Sequence, residues 1–193
     1  MSWHIGDLPH DAPNLIDQTA ALLHDAFRGR TEDWQDLPSA REEVMASLAS
    51  DRVSRVAIND DAGVVVGWIG GIPTYSGRVW ELHPLVVGRP HRRRGIGRAL
   101  VNDLEREIAA RGGLTLWLGS DDENDETTVS GVNLYENVPG AIRDLTVVRG
   151  EHPCEFYRRL GFRVVGLMPD ANGPGKPDIF FAKAVGGSDR QHG

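Results

Sequence analysis

The 193-residue chain has one cysteine, Cys154, which leaves no room for an internal disulfide or a cysteine-rich metal site. A lone thiol suits a reducing compartment. No segment approaches the roughly 20 consecutive apolar residues that span a bilayer. The opening Met1-Ser-Trp-His lacks a basic stretch followed by an apolar one, so secretion is not expected and a cytoplasmic protein is. Positive charge is in deficit, with 28 acidic against 21 basic side chains and a net charge of −7. Nucleic-acid binding calls for a surplus of phosphate-neutralising cations, so that class is disfavoured, whereas a cationic partner is not opposed. Internal repeats and linker-like stretches are also missing. The length suits a single domain, expected over residues 1–185, with residues 186–193 a polar, disordered tail.

The charges that are present are unevenly spread. Arginines crowd residues 89–98, whereas Asp121, Asp122, Glu123, Asp125 and Glu126 fall within six residues. A basic spot and a separate acidic one suit an anionic cofactor and a cationic substrate. A solvated loop is the plainer reading of the acidic run.

Apolar periodicity predicts an α+β protein. Leu15, Ile16, Thr19, Leu22, Leu23, Ala26 and Phe27 share one face of a helix over 13–27, with Asp11 as its cap and Pro13 in the first turn. Ser39-Ala-Arg-Glu42 has capping-box form and opens a second helix carrying Val44, Met45 and Leu48. Strands over 53–58 and 64–72 flank the hairpin connection 59–63. The strand over 78–87 contains Pro84, which cannot donate to a central ladder and marks a bulge or an edge. Ile96, Leu100, Leu104 and Ile108, four apart, predict a helix over 95–111, followed by a strand over 114–118. A helix over 137–148, a short one over 153–160 stopped by Gly161, and closing strands over 162–168 and 179–185 complete the reading.

The strand over 78–87 feeds His91-Arg92-Arg93-Arg94-Gly95-Ile96-Gly97-Arg98-Ala99-Leu100, which opens the third helix. Unpartnered N–H groups and the helix dipole favour an anion there, and glycines let it approach the main chain. No Gly-Lys-Ser/Thr follows, so this is not a nucleotide-triphosphate loop. The third glycine of a dinucleotide fingerprint is missing as well. A pyrophosphate suits the turn. A basic turn capping a surface helix is the alternative.

The pattern Arg92-x-x-Gly95-x-Gly97 after an apolar strand resembles the acyl-CoA signature of the GNAT N-acetyltransferase superfamily. Further segments resemble, in unbroken order over roughly residues 60–184, the aminoglycoside 6'-N-acetyltransferases of the chromosomal enterococcal type. They are Trp80–Val87, Arg111–Gly119, Asp121-Asp122, Leu134-Tyr-Glu136, His152-Pro153, Glu155-Phe-Tyr157, Leu160-Gly-Phe162, Pro169–Gly173 and Lys176–Ile179. The resemblance implies the GNAT fold, a mixed and mostly antiparallel central sheet with a bulged, splayed strand and flanking helices. It also implies acetyl-CoA as the acetyl donor, no metal, and direct transfer in a ternary complex to the 6'-amine of an aminoglycoside, an antibiotic-resistance activity. A homodimer is expected on the same ground, with no nucleic-acid or membrane partner. Acetylation of a polyamine or a protein amine is the alternative, as is a non-catalytic CoA-binding sensor.

On this resemblance the backbone of Leu85, Val86 and Val87 contacts the cofactor, with the Leu85 N–H as oxyanion donor. Arg92, Arg93, Arg94, Gly95, Ile96, Gly97, Arg98 and Ala99 surround the pyrophosphate. An amine that is protonated near neutral pH must lose a proton before it attacks. Alternation places Glu81, His83 and Leu85 on one strand face if the bulge lies beyond them. Glu81 is the first candidate base and also a holder of the ammonium form; His83 is the second. Tyr157 is the candidate donor to the departing thiolate. Their structural alternatives are a Glu81–arginine pair, a core histidine and a core aromatic. Trp34 is a candidate for stacking on a sugar ring, and Asp121, Asp122 and Glu136 for holding ammonium groups. Cys154 is read as structural. Phe27 stands where the enterococcal type has a tryptophan, a departure that bears on substrate preference.

Overall fold

The computed structural model describes residues 2–29 and 33–186. Of the expected tail only Gly186 is among them; residues 187–193 lie outside the described residues. The chain divides into two compact units, one running to Leu116 and rejoined by Val185, the other Trp117–Ala184.

The first unit contains β1 (Trp3–Asp7), α1 (Pro13–Phe27), α2 (Leu37–Ala46), β2 (Val53–Asn59), β3 (Val64–Thr74), β4 (Val79–Val87) and α3 (Ile96–Ala110). Its strands run β1-β2-β3-β4, each antiparallel to the next. Ile16, Ala20 and Leu23 of α1 join Ala40 and Val44 of α2 and Val56, Trp68 and Val86 of the sheet in one buried cluster. The expected helical face of α1 is the one that packs. Its cap is different: Ala12 occupies the cap position without a side-chain hydrogen bond, so Asp11 does not serve, while Pro13 opens the helix. In α2 the cap is Asp36, whose carboxylate accepts from the Ser39 N–H at 2.8 Å. The helix therefore starts two residues before the expected box, and that bond holds the Asp36 carboxyl below its usual range.

The pairing of β3 with β4 is interrupted. Ile69 opposes Leu85 and Gly71 opposes Leu82, so Gly70 alone faces both His83 and Pro84. This is a bulge on β4. It lies within the Glu81–Leu85 trio rather than beyond it, yet alternation survives: Trp80, Leu82, Pro84 and Val86 are buried, while Glu81, His83 and Leu85 are half-buried on the other face. Ile96, Leu100, Leu104 and Ile108 of α3 are all buried, and the helix packs on β2, β3 and β4.

One ionic network locks this unit. The Arg55 Nε donates to Asp103 at 2.6 Å, its Nη1 pairs with Asp7, and Arg106 donates to the other Asp103 oxygen at 2.6 Å. The Arg55 and Asp103 side chains are 13% and 7% exposed. Burial works against the Arg55 charge, and bonding to Asp103 and Asp7 outweighs it, raising the guanidinium pKa. Asp103→Ala removes the larger part of the compensation and leaves a shielded cation with only the exposed Asp7 as partner. Denaturant unfolding is expected to show a loss of about 3–5 kcal/mol, the usual cost of breaking a buried pair.

β5 (Thr115–Asp121) carries the chain into the second unit, which holds α4 (Val138–Arg143), α5 (Cys154–Arg159), β6 (Arg163–Met168) and β7 (Asp178–Ala184) in strand order β5-β7-β6. β6 and β7 pair antiparallel. α4 is shorter than the expected helix over 137–148, because Val147 is drawn into a bridge with Thr127.

Candidate active site

Gly95 caps α3 at φ 85°, ψ −7°, a left-handed conformation natural to glycine. No side chain caps this helix, and its first internal bond runs from the Ala99 N–H to the Gly95 carbonyl at 3.0 Å. The N–H groups of residues 95–98 thus precede the helical ladder, with the positive end of the dipole behind them. A Cβ placed on Gly95 would meet nothing within 4 Å, so a ligand can reach the main chain. Arg93, at φ 60°, turns the loop into this position. Arg92 ties the loop to β4 by donating from Nε to the Val87 carbonyl at 3.1 Å. Arg92, Arg93, Arg94 and Arg98 are exposed, Gly97 and Ala99 half-buried, and Ile96 buried, so Ile96 offers a ligand only its main chain. Leu85 and Val87 flank buried Val86 at the strand end next to the loop. The uncapped amides, the room at Gly95 and the guanidinium groups fit a diphosphate.

Glu81 and His83 lie on the half-buried face of β4. The Glu81 carboxylate has no hydrogen-bond or ion-pair partner among the described residues, which disposes of the alternative of an arginine pair as a reason for its presence. His83 stands beside Trp34, ring centroids 5.6 Å apart, and its Nε2 lies 3.9 Å from the Glu43 carboxylate on α2. Trp34 also meets the edge of Phe27 at 5.0 Å, and its carbonyl is bonded to His24 Nδ1 at 2.9 Å. The structure therefore brings Trp34, His83 and Glu81 to one region of the first unit. Glu43 was not legible as part of it, because the sequence shows only a polar position on an amphipathic helix.

The remaining candidates belong to the second unit. Asp121 is exposed and accepts from Asn172 at 2.7 Å; Glu136 is exposed and accepts from Asn133 at 2.8 Å. Asp122 departs from expectation. It is 1% exposed, and both oxygens are occupied by the N–H groups of Glu126 and Thr127 and by the Thr127 hydroxyl. Its carboxylate folds the acidic loop and is not open to an ammonium group. Tyr157 is 8% exposed and packs against Phe156, Phe162 and Phe181, and burial pushes its phenol upward. Cys154 is buried, its thiol pushed up to about 12 by desolvation, so it is not a thiolate nucleophile near neutral pH. The described residues contain no group of three or more His, Cys, Asp or Glu placed to hold a metal ion.

The Acetyltransferase (GNAT) family pattern matches residues 17–162. The chain belongs to the GNAT acetyltransferase family. As a GNAT enzyme it is an acetyl-CoA-dependent N-acetyltransferase with the family's mixed, mostly antiparallel sheet and flanking helices. No curated protein sequence matches it. Among solved structures, an aminoglycoside 6'-N-acetyltransferase complexed with coenzyme A is 40% identical over 95% of this chain and 98% of its own, with a TM-score of 0.87. The aminoglycoside 6'-N-acetyltransferase from Enterococcus faecium is 41% identical with the same coverage and a TM-score of 0.86. An aminoglycoside 6'-acetyltransferase type Ii is 36% identical, again over 95% and 98%, with a TM-score of 0.73. No helix among the described residues is long and apolar enough to cross a membrane.

Proposed function

We propose that this GNAT enzyme transfers the acetyl group of acetyl-CoA to the 6'-amine of aminoglycosides. The observation that carries the reading is near full-length similarity, at 36–41% identity, to structures of three enzymes named for that regiochemistry. The site chemistry supports it. Residues 92–99 hold the donor's diphosphate, and the strand end at Leu85–Val87 runs beside the acyl arm, with the Leu85 N–H facing the oxygen on which charge develops. Glu81 removes a proton from the substrate ammonium, directly or through water. The freed nitrogen lone pair attacks the thioester carbon, the C–S bond breaks, the nitrogen gives up its second proton to water, and the acetamide and the thiol of CoA result. The departing sulfur takes up a proton, a role the resemblance gives to Tyr157. Trp34 stacks on a sugar ring, and the exposed carboxylates of Asp121 and Glu136 attract cationic substrates.

Acetylating an ammonium-bearing position removes a positive charge from the drug and weakens its electrostatic hold on RNA, so the activity confers resistance. The enzyme works in the cytoplasm, where both substrates meet, and as a homodimer. Thiol release from acetyl-CoA tests the regiochemistry. Two aminoglycosides differing only in an amine or a hydroxyl at the 6' position are compared, and kcat/KM is expected to be at least about 100-fold lower for the hydroxyl compound. Equal rates overturn 6' selectivity. Turnover of spermidine with none of either drug shifts the reading to a polyamine acetyltransferase.

A further inference from the structure

We propose that Glu43 is a specificity-determining residue that binds an ammonium group of the acceptor other than the one acetylated. The inference rests on the aminoglycoside reading above and deepens it. Ala40 and Val44 fasten α2 to the core, and Glu43, between them in sequence, is carried along the flank of that contact. Its side chain is 23% exposed, so much of the carboxylate is shielded from water. No arginine or lysine pairs with it among the described residues. His83 stands beside it, and at 3.9 Å the Nε2–Oε1 separation is too long for a hydrogen bond. The acceptor lone pairs of Glu43 are therefore not consumed by the protein. A partly desolvated carboxylate with unspent acceptors gains more from an arriving N–H donor than an exposed one does.

A second observation places a sugar beside it. Trp34 has φ 55°, a left-handed backbone that a bulky side chain rarely adopts, and it is held there by His24 at its carbonyl and by Phe27 at its ring. The result of that conformation is an indole set against the same imidazole that faces Glu43. An aromatic surface and a carboxylate free of hydrogen bonds, joined through one histidine, recognise an amino sugar, the C–H face on the indole and the ammonium on the carboxylate. Glu81 lies two residues before His83 on the same strand face, about 6–7 Å away along the backbone. With Glu43 set 3.9 Å from the His83 imidazole, one substrate molecule can present its reacting amine to Glu81 and another ammonium to Glu43.

Steady-state kinetics of the full-length enzyme test this with Glu43→Gln, which keeps the shape and removes the charge. The two acceptors are an aminoglycoside and 6-amino-6-deoxyglucose, which has a single amine. For the aminoglycoside, KM is expected to rise about 10–100-fold, the worth of a charged hydrogen bond, with kcat within about threefold and the acetyl-CoA KM within about twofold. For the monoamine, kcat/KM is expected to fall by no more than about threefold. Glu43→Asp should recover part of the aminoglycoside affinity, and the salt dependence of kcat/KM should flatten in Glu43→Gln. An unmoved aminoglycoside KM overturns the assignment. So does an equal loss of kcat on both acceptors, which would make Glu43 a positioning residue for His83. A wild-type enzyme inactive on every aminoglycoside overturns the substrate reading itself, whereas an active wild type with an unaffected variant overturns only the role of Glu43.

Discussion

Glu81→Gln is expected to lower kcat with an aminoglycoside acceptor by about 10²–10³-fold, the range a positioned base contributes, and to leave the acetyl-CoA KM within about twofold. The half-buried Glu81 carboxylate has no ionic or hydrogen-bonding duty to the protein among the described residues, and its backbone is fixed opposite Ile72 by the β3–β4 ladder. Glutamine keeps the packing and can still meet an ammonium with its carbonyl oxygen, but it cannot take a proton. The variant therefore relies on acceptor molecules that reach the site already neutral. Below the pKa of the 6'-amine that fraction grows about tenfold per pH unit, so the deficit of Glu81→Gln should narrow as the assay is made more alkaline. A carboxylate that only anchored the ammonium would behave differently: the acceptor KM would rise and kcat would hold. An unchanged kcat would remove Glu81 from the chemistry and leave His83 as the base on that face.

The elements that read correctly from the sequence are those whose signal is local. Ile96, Leu100, Leu104 and Ile108 repeat every four residues and are all buried. Glu81 and His83 share a face because the period of two runs through the strand, and Pro84 announced the bulge. Other features depended on competition between signals. Ser39 reads as the cap of the second helix, but Asp36 takes that place because Pro38 fits the first turn of a helix starting at Leu37. β1 escaped notice because Trp3–Asp7 is short, contains Gly6, and owes its strand form to pairing with β2. Asp122 looked like part of an exposed acidic array, and only the folded loop shows its oxygens engaged by Glu126 and Thr127. The meeting of Trp34, Glu43 and His83 joins residues distant along the chain, and no spacing rule encodes it.

Gly70→Ala is expected to be the most disruptive single-atom change in the first unit, because the bulge brings two backbones together with no side chain between them. A Cβ at residue 70 would lie 2.2 Å from the His83 carbonyl oxygen and 3.2 Å from its carbon. Neither atom belongs to a flexible side chain that can swing aside, so β3 and β4 must separate locally. Overpacking of this kind costs about 3 kcal/mol, which for a chain of this length lowers Tm by about 6–12 °C in a thermal melt. The displacement also falls on the residue that presents the imidazole to Trp34 and lies two positions from Glu81, so turnover should drop even at temperatures where the variant stays folded. Gly6→Ala supplies the contrast. It too is a strand glycine, paired with Val56, but a Cβ there meets nothing within 4 Å. Its stability should stay within about 0.5 kcal/mol of the parent, as for a surface change away from special features. A Gly70→Ala enzyme with the parent's Tm and turnover would mean that β4 can relax away from β3 at no cost, and the bulge would then not be what holds Glu81 and His83 in place.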